Sequence, residues 1–284
     1  MTAVIAAGPS DNRDLLCRGP KSLLDQASVP GRLQKDGWGI GWFAAGGAPA
    51  LVRSAGDAAR EKPAFRKAAA RAASGLVSLA HLRDASNPGG LARRLVVAKK
   101  NTQPFSARGW LFCHNGTLFI KDEIRKGLGR RAAALRGNND SEVLFQLVLK
   151  HLDGRGSPLK ALGLAVAEIR RTWRACRKSY PALSGPYRGL NVFLASKDSL
   201  TVMCNAAAPI YPAVKAPGAK MAVLTPGWEF GRIAWRREPG RVVFSSEPAD
   251  GGKWNKMRDL QAAHAKLRGG RIELSFSAVK GTRS

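Results

Sequence analysis

Apolar runs in this chain are short, five to seven residues, at 3–7, 38–44, 76–82, 110–114 and 190–195, and they are bounded mostly by Gly, Pro and Asn. Runs of that length suit strands buried in a core and are too short for helices that must bury a face over several turns. Further strand candidates lie at 201–205, 221–224, 232–235 and 241–245, punctuated by Pro209, Pro212, Pro226 and Pro239. Helical spacing predicts helices over 57–73, 141–152 and 158–178. Strands and helices alternate irregularly, with no internal repeat and no low-complexity tract. A strand-rich α+β fold in one domain follows, with fraying expected at 279–284.

With 284 residues, 44% of them hydrophobic, the chain can bury a large core without covalent staples. Cys17, Cys113, Cys176 and Cys204 are widely scattered, so neither a disulfide framework nor a CxxC metal site is indicated. The histidines lack ligand spacing, and no metal or cofactor is implied. No apolar run reaches eighteen residues and the opening lacks a signal-peptide pattern, which leads to the expectation of a cytoplasmic protein without a membrane span. The charge is unusual: 47 Lys plus Arg against 20 Asp plus Glu leave +27. A field of that sign favours an acidic protein or a polyanion as partner, yet the cations are spread from Arg13 to Arg283 and specify none. Nucleic-acid recognition motifs are lacking.

Five clusters carry residue types that a plain core does not require. In Asp36-Gly37-Trp38-Gly39-Ile40-Gly41-Trp42, alternate glycines suit either a strand entered through a tight turn or a wall that a ligand approaches closely. His81-Leu82-Arg83-Asp84-Ala85-Ser86 ends a strand in an arginine, which can grip a carboxylate through two parallel hydrogen bonds or form an internal ion pair; His81 reads as a satisfied core histidine. The third is Asn101-Thr102-Gln103-Pro104-Phe105. In Phe112-Cys113-His114-Asn115-Gly116-Thr117, the Asn-Gly pair is either a hairpin turn or an oxyanion hole made by the Asn115 amide and the Gly116 N–H, with Cys113 a small buried apolar residue. Gly137-Asn138-Asn139-Asp140-Ser141-Glu142 places Asp140 either as a helix cap or as a binder of an α-ammonium.

In this order the clusters resemble class II glutamine amidotransferases, in particular a small single-domain branch carrying DGWGIGW. That branch reads HVRxAS, NTHPF, FAHNG and TDSE; this chain reads HLRDAS, NTQPF, FCHNG and NDSE, then LNVF, VVFSSEP and Trp254. The resemblance spans residues 1–257 and leaves 258–284 as a basic extension packing on or trailing the same domain. It implies a four-layer αββα Ntn-hydrolase sandwich, two antiparallel sheets flanked by helices. It further implies glutamine or a γ-glutamyl amide as substrate, its carboxylate on Arg83, its α-amine on Asp140, the oxyanion on Asn115 and Gly116, and Asp36 with Gly37 in the pocket wall. The family's nucleophile is an N-terminal cysteine exposed by loss of Met1; here that position is Thr2. A threonine hydroxyl can serve when its own α-amine takes the proton. The alternative is an inactive relative in which the pocket persists as a binding or regulatory module. Gln103 and Asn139 replace the family's His and Thr.

Overall fold

Thirteen strands and six α-helices are formed by the residues that the computed structural model describes, which are all except 30–33, 45–46, 88–89, 154–156, 206–224, 226–227, 230 and 280–284. The strand expected over 221–224 and the turns at Pro209, Pro212 and Pro226 lie outside the described residues. In chain order the first strands and helices are β1 (Thr2–Ala6), α1 (Leu23–Ser28), β2 (Trp38–Phe43), β3 (Pro49–Ser54), α2 (Lys62–Ala72), β4 (Val77–Leu82), α3 (Arg93–Val96), β5 (Phe105–Ala107) and β6 (Trp110–Leu118). Next come α4 (Lys121–Lys126), α5 (Asp140–Leu152), α6 (Pro158–Cys176), β7 (Tyr187–Ala195) and β8 (Ser199–Cys204). The last strands are β9 (Ala234–Glu238), β10 (Arg241–Ser245), β11 (Asn255–Lys256), β12 (Gln261–Arg268) and β13 (Arg271–Ala278).

Two antiparallel sheets result, ordered β11-β9-β10-β1-β4-β2-β3 and β13-β12-β8-β7-β6-β5. Because side chains alternate across a strand, each sheet buries two faces. Ala3, Ile5, Val77, Leu79, Phe43 and Phe244 of the first sheet meet Leu111, Cys113, Phe193, Leu200 and Val202 of the second in a shared apolar layer. On the outer face of the first sheet, Trp38, Ile40, Ala80 and Leu82 pack under Leu23, Leu24, Phe65 and Ala69 of α1 and α2. The outer face of the second, including Phe112, Leu190 and Val192, packs under α4, α5 and α6 through Ile124, Phe145, Leu147 and Ile169. Helix, sheet, sheet and helix therefore stack as the four-layer αββα sandwich expected from sequence.

Local chemistry sets the boundaries. At α5 the Asn139 side chain accepts from Ser141 N at 2.7 Å, and at α6 Ser157 accepts from Lys160 N at 3.3 Å just before Pro158, a residue whose fixed φ suits the first helical turn. The helix expected from residue 57 starts only at Lys62, because Asp57 folds the chain into a turn, its carbonyl accepting from the N–H groups of Arg60 and Glu61. Residues 177–179 leave α6 as a 3-10 turn. Residues 258–284 contribute two strands, β12 pairing with β8 from Gln261↔Cys204 to Lys266↔Ser199 and β13 forming the sheet edge. The tail is thus built into the second sheet.

Two outcomes follow from this packing. Phe145 of α5 stacks on Phe112 of β6 with ring centroids 4.9 Å apart, so Phe145→Ala should lower unfolding free energy by about 3–5 kcal/mol in urea titrations. All four histidines, His81, His114, His151 and His264, have their pKa pushed below the ordinary value mainly by burial. A base whose folded-state pKa is depressed binds its proton more readily when unfolded. Stability from these groups is therefore fully present above the unfolded histidine pKa, about 6.5, and lost as pH falls below it. Thermal melts should show a falling midpoint on acidification from pH 7 to pH 5, and the His264→Gln variant should show a smaller fall.

Candidate active site

Strand β4 turns Val77, Leu79 and His81 toward the second sheet, and Arg83 follows in the same phase beyond its end. The chain opposite continues the ladder: Arg83 N donates to Gly37 O at 2.8 Å and Asp36 N to Arg83 O at 3.0 Å. Gly37 has φ 133°, and a Cβ there would lie 2.8 Å from both the Ser54 carbonyl and Thr102 Oγ1, so only glycine fits. The Arg83 guanidinium is buried, with Nη1 donating to Asp36 O at 3.3 Å and to Val96 O at 3.0 Å. Burial pulls its pKa down against the upward pull of Asp36, Asp140 and Asp84; as an arginine it stays charged. The Asp36 carboxylate accepts from Ala85 N at 3.0 Å and pairs with Arg93 at 2.7 Å. Asp36 thereby ties Ala85 and Arg93 to the Arg83 corner, and Gly37 pairs with Arg83 itself.

The Asn115-Gly116 pair lies within β6, opposite Asn191 and Leu190, and not in a hairpin turn. The register shifts between Gly116 and Thr117, and Gly116 has φ 151°. A Cβ on Gly116 would collide with the Gly189 carbonyl, so the β-bulge demands glycine. Asn115 is exposed at this bulge. His114 beside it is buried, Nδ1 2.9 Å from Ser141 Oγ and Nε2 3.3 Å from Gly189 O. A carbonyl can only accept, so Nε2 carries the proton and Ser141 donates to Nδ1. Burial keeps this ring neutral against the pull of Asp140. Gln103, which stands where the family has histidine, brackets the same residue: its Oε1 accepts from His114 N at 2.6 Å and its Nε2 donates to His114 O at 3.0 Å.

Asp140 does not cap its own helix, since Asn139 does that. Its Oδ2 accepts from Leu118 N at 2.7 Å, tying the start of α5 to the end of β6. The start of a helix favours an anion there. Asp140, at the start of α5 on the outer side of the second sheet, acts electrostatically on both Arg83 and His114, and so lies within electrostatic reach of the Arg83 corner and of the strand that carries the Asn115-Gly116 bulge.

Thr2 is placed differently. It pairs with Ala80 and Ser245 across its two neighbours, so its side chain shares the outer face of the sheet with Ala80, away from His81 and Arg83. Its Oγ1 lies 3.1 Å from Ser245 Oγ, and the residue is 1% exposed. Met1 faces the inter-sheet core instead: its amino group donates to Ser246 Oγ at 3.0 Å, its carbonyl accepts from Ser246 N at 2.9 Å and Ser245 Oγ at 3.2 Å. Ser245 and Ser246 had no role assigned from sequence, although VVFSSEP was singled out as a segment. His81 is buried close enough to this amino group for it to help burial depress the imidazole pKa. As expected it is a core histidine, its ring hydrogen-bonded to the backbone of His114, while its Nδ1 finds no hydrogen-bond partner among the described residues. Burial raises the Cys113 thiol pKa strongly, which leaves it protonated and unreactive at neutral pH. No group of three or more potential metal ligands occurs among the described residues, and none of their helices is long and apolar enough to cross a membrane.

The chain is similar over residues 24–259 to the family described as glutamine amidotransferases class-II; Thr2 lies outside that stretch. Similar solved structures include a glutamine aminotransferase class-II domain protein from Silicibacter pomeroyi, 20% identical, with 98% of each chain covered and a TM-score of 0.62. Glutamine phosphoribosylpyrophosphate amidotransferase from B. subtilis, complexed with ADP and GMP, is 12% identical with a TM-score of 0.61. It matches 98% of this chain, which spans 49% of that one. No curated protein matches. At such identities the structural likeness speaks for the fold, and it agrees with the stretch of sequence that carries DGWGIGW, HLRDAS, FCHNG and NDSE: this chain belongs to the class II glutamine amidotransferase family.

Proposed function

We propose that Arg83, Asp140 and the Asn115-Gly116 bulge bind the α-amino-acid end of glutamine or a γ-glutamyl amide, and that Thr2 cleaves the amide once the Met1–Thr2 bond is broken. The observation that supports this reading is the electrostatic coupling of opposite charges, Arg83 and Asp140: a buried guanidinium for the carboxylate and a carboxylate at a helix start for the ammonium. In the form with Met1 attached, the nitrogen of Thr2 is a peptide N–H and cannot act as base. Removal of Met1 also removes the carbonyl that Ser245 and Ser246 hold, which releases residue 2 to turn its hydroxyl inward.

The chemistry is then acyl transfer. The free α-amine, with an ordinary pKa of about 8, takes the hydroxyl proton as Oγ1 bonds to the amide carbon. The Asn115 amide and the Gly116 N–H stabilise the oxyanion. Collapse breaks the C–N bond, ammonia leaves with the proton, and water hydrolyses the ester to glutamate. A second reading, amino-acid binding without hydrolysis, is favoured by the Thr2–Ser245 contact and by the seating of Met1 in the core.

Glutamine affinity, followed by calorimetry, should fall in Arg83→Lys and in Asp140→Asn by roughly 10- to 150-fold, the loss of one or two charged hydrogen bonds. Unchanged affinity in both would remove the amino-acid pocket altogether. Intact-mass analysis after incubation with 6-diazo-5-oxonorleucine separates the two readings. An adduct on a Met-free chain, absent in Thr2→Ala, supports the nucleophile. A chain that stays unmodified while Thr2→Cys gains the adduct supports binding alone.

A further inference from the structure

A second cavity lies at the opposite end of β6 from Asn115, five residues away along the strand and hence roughly 17 Å off. It measures about 320 Å³ and is lined by Arg108, Arg130 and Arg131 together with Ala107, Ala134, Gln146 and Leu149. That is the lower end of the range for small-ligand pockets. Arg130 and Arg131 come from the 3-10 segment Gly129–Ala134, and Arg108 from the two-residue turn between β5 and β6.

Arg108 is unusual in its backbone. Its φ is 53°, followed by Gly109 at 76°, the left-handed pair of a tight hairpin turn that favours Asn, Asp or Gly in the first place. Turn chemistry does not select arginine here, and Arg108 is one of the residues that line the cavity. A conformation that a side chain rarely adopts is retained where the side chain has a task.

The charges do not balance. Asp153 is the carboxylate in contact, pairing with Arg131 and, at 3.4 Å, with Arg108. Gln146 accepts from Arg131 at 3.4 Å. Burial and then the repulsion of Arg108 and Arg130 push the Arg131 pKa down, as expected where cations are crowded. Among the described residues, three guanidinium groups against one carboxylate leave two positive charges beside a cavity that Ala107, Ala134 and Leu149 also line.

We propose that this cavity is a binding site for the phosphate group of a small phosphate monoester. A monoester dianion matches the excess charge, its three terminal oxygens suit guanidinium forks, and the substituent has Ala107, Ala134 and Leu149 to pack on. The site shares no side chain with the Arg83 and Asp140 pocket and stands whether or not that pocket hydrolyses glutamine. It also gives part of the +27 charge a defined task that a diffuse field does not supply.

The test is calorimetric titration of the full chain at constant ionic strength set with chloride. Phenyl phosphate is the monoester probe, with inorganic phosphate, dimethyl phosphate and a short DNA duplex alongside. Phenyl phosphate should bind saturably at one site, more tightly than inorganic phosphate and far more tightly than the singly charged dimethyl ester. The double variant Arg108→Gln, Arg130→Gln should weaken it about tenfold or more per guanidinium. Arg66→Gln with Lys67→Gln, which removes the same charge from exposed positions on α2, should leave it unchanged. Equal losses in the two double variants would overturn the proposal, because a general field would then explain the binding. So would binding of the duplex, sensitive to Arg108 and Arg130, in the absence of any phenyl phosphate signal.

Discussion

Strand β1 is the element on which the rest of this structure depends. It is hydrogen-bonded along both edges, to β10 through Thr2↔Ser245 to Ala6↔Arg241 and to β4 through Thr2↔Ala80 to Ile5↔Val77. All five of its residues are buried. Both faces are used, Ala3 and Ile5 toward the second sheet and Val4 toward Leu15, Val243 and Ala249. A strand fixed on four sides has no freedom of register, since a slip by one residue would exchange its two faces. That fixity positions the Met1 amino group beside His81 and Ser246.

The candidate site is assembled on the same logic. None of its groups sits on a free loop: Arg83 continues β4, the Asn115-Gly116 bulge interrupts β6, and Asp140 opens α5. Polar contacts then knit these pieces together. Gln103 satisfies both backbone groups of His114, His114 engages Ser141 and Gly189, and Asp140 holds Leu118. Buried polar groups are costly unless paired, so this network specifies one arrangement of strand, bulge and helix. The replacement of histidine by Gln103 is compatible with that arrangement because an amide offers one donor and one acceptor side by side, matching a backbone N–H and C=O.

Much of this was legible in sequence, for reasons that differ by element. The runs that became β2, β4 and β7 are largely apolar, and α5 and α6 show clear helical spacing, although the cap of α5 is Asn139 and not Asp140. β6 was expected to stop at His114, because Asn-Gly is a turn signal; the bulge absorbs the pair within the strand, which runs on to Leu118. β3 opens with Pro49 and is only half-buried, and so gave a weak signal. The alternation in Arg-Ile-Glu-Leu-Ser-Phe-Ser-Ala of β13 is visible, but its basic surroundings read as a tail. Side-chain direction was the part that pattern could not supply. The orientation of Thr2 toward Ser245 depends on a partner 243 residues away, and Asp140 turns to Leu118 only because Asn139 has taken the cap.

The pairing of β1 with β10 also has a temporal side. β4 can join β1 early in synthesis, but Ser245 and its neighbours leave the ribosome only after most of the chain has been made. Until then one edge of β1 has no strand beside it, and long-range pairings of this kind are slow to form. Once they form, Met1 is 5% exposed, its carbonyl taken by Ser245 and Ser246. The Met1–Thr2 bond is therefore open to a peptidase only before β10 docks. On the hydrolytic reading, removal of Met1 would have to precede closure of the sheet, and the order of the two would decide whether the Thr2 amine is freed.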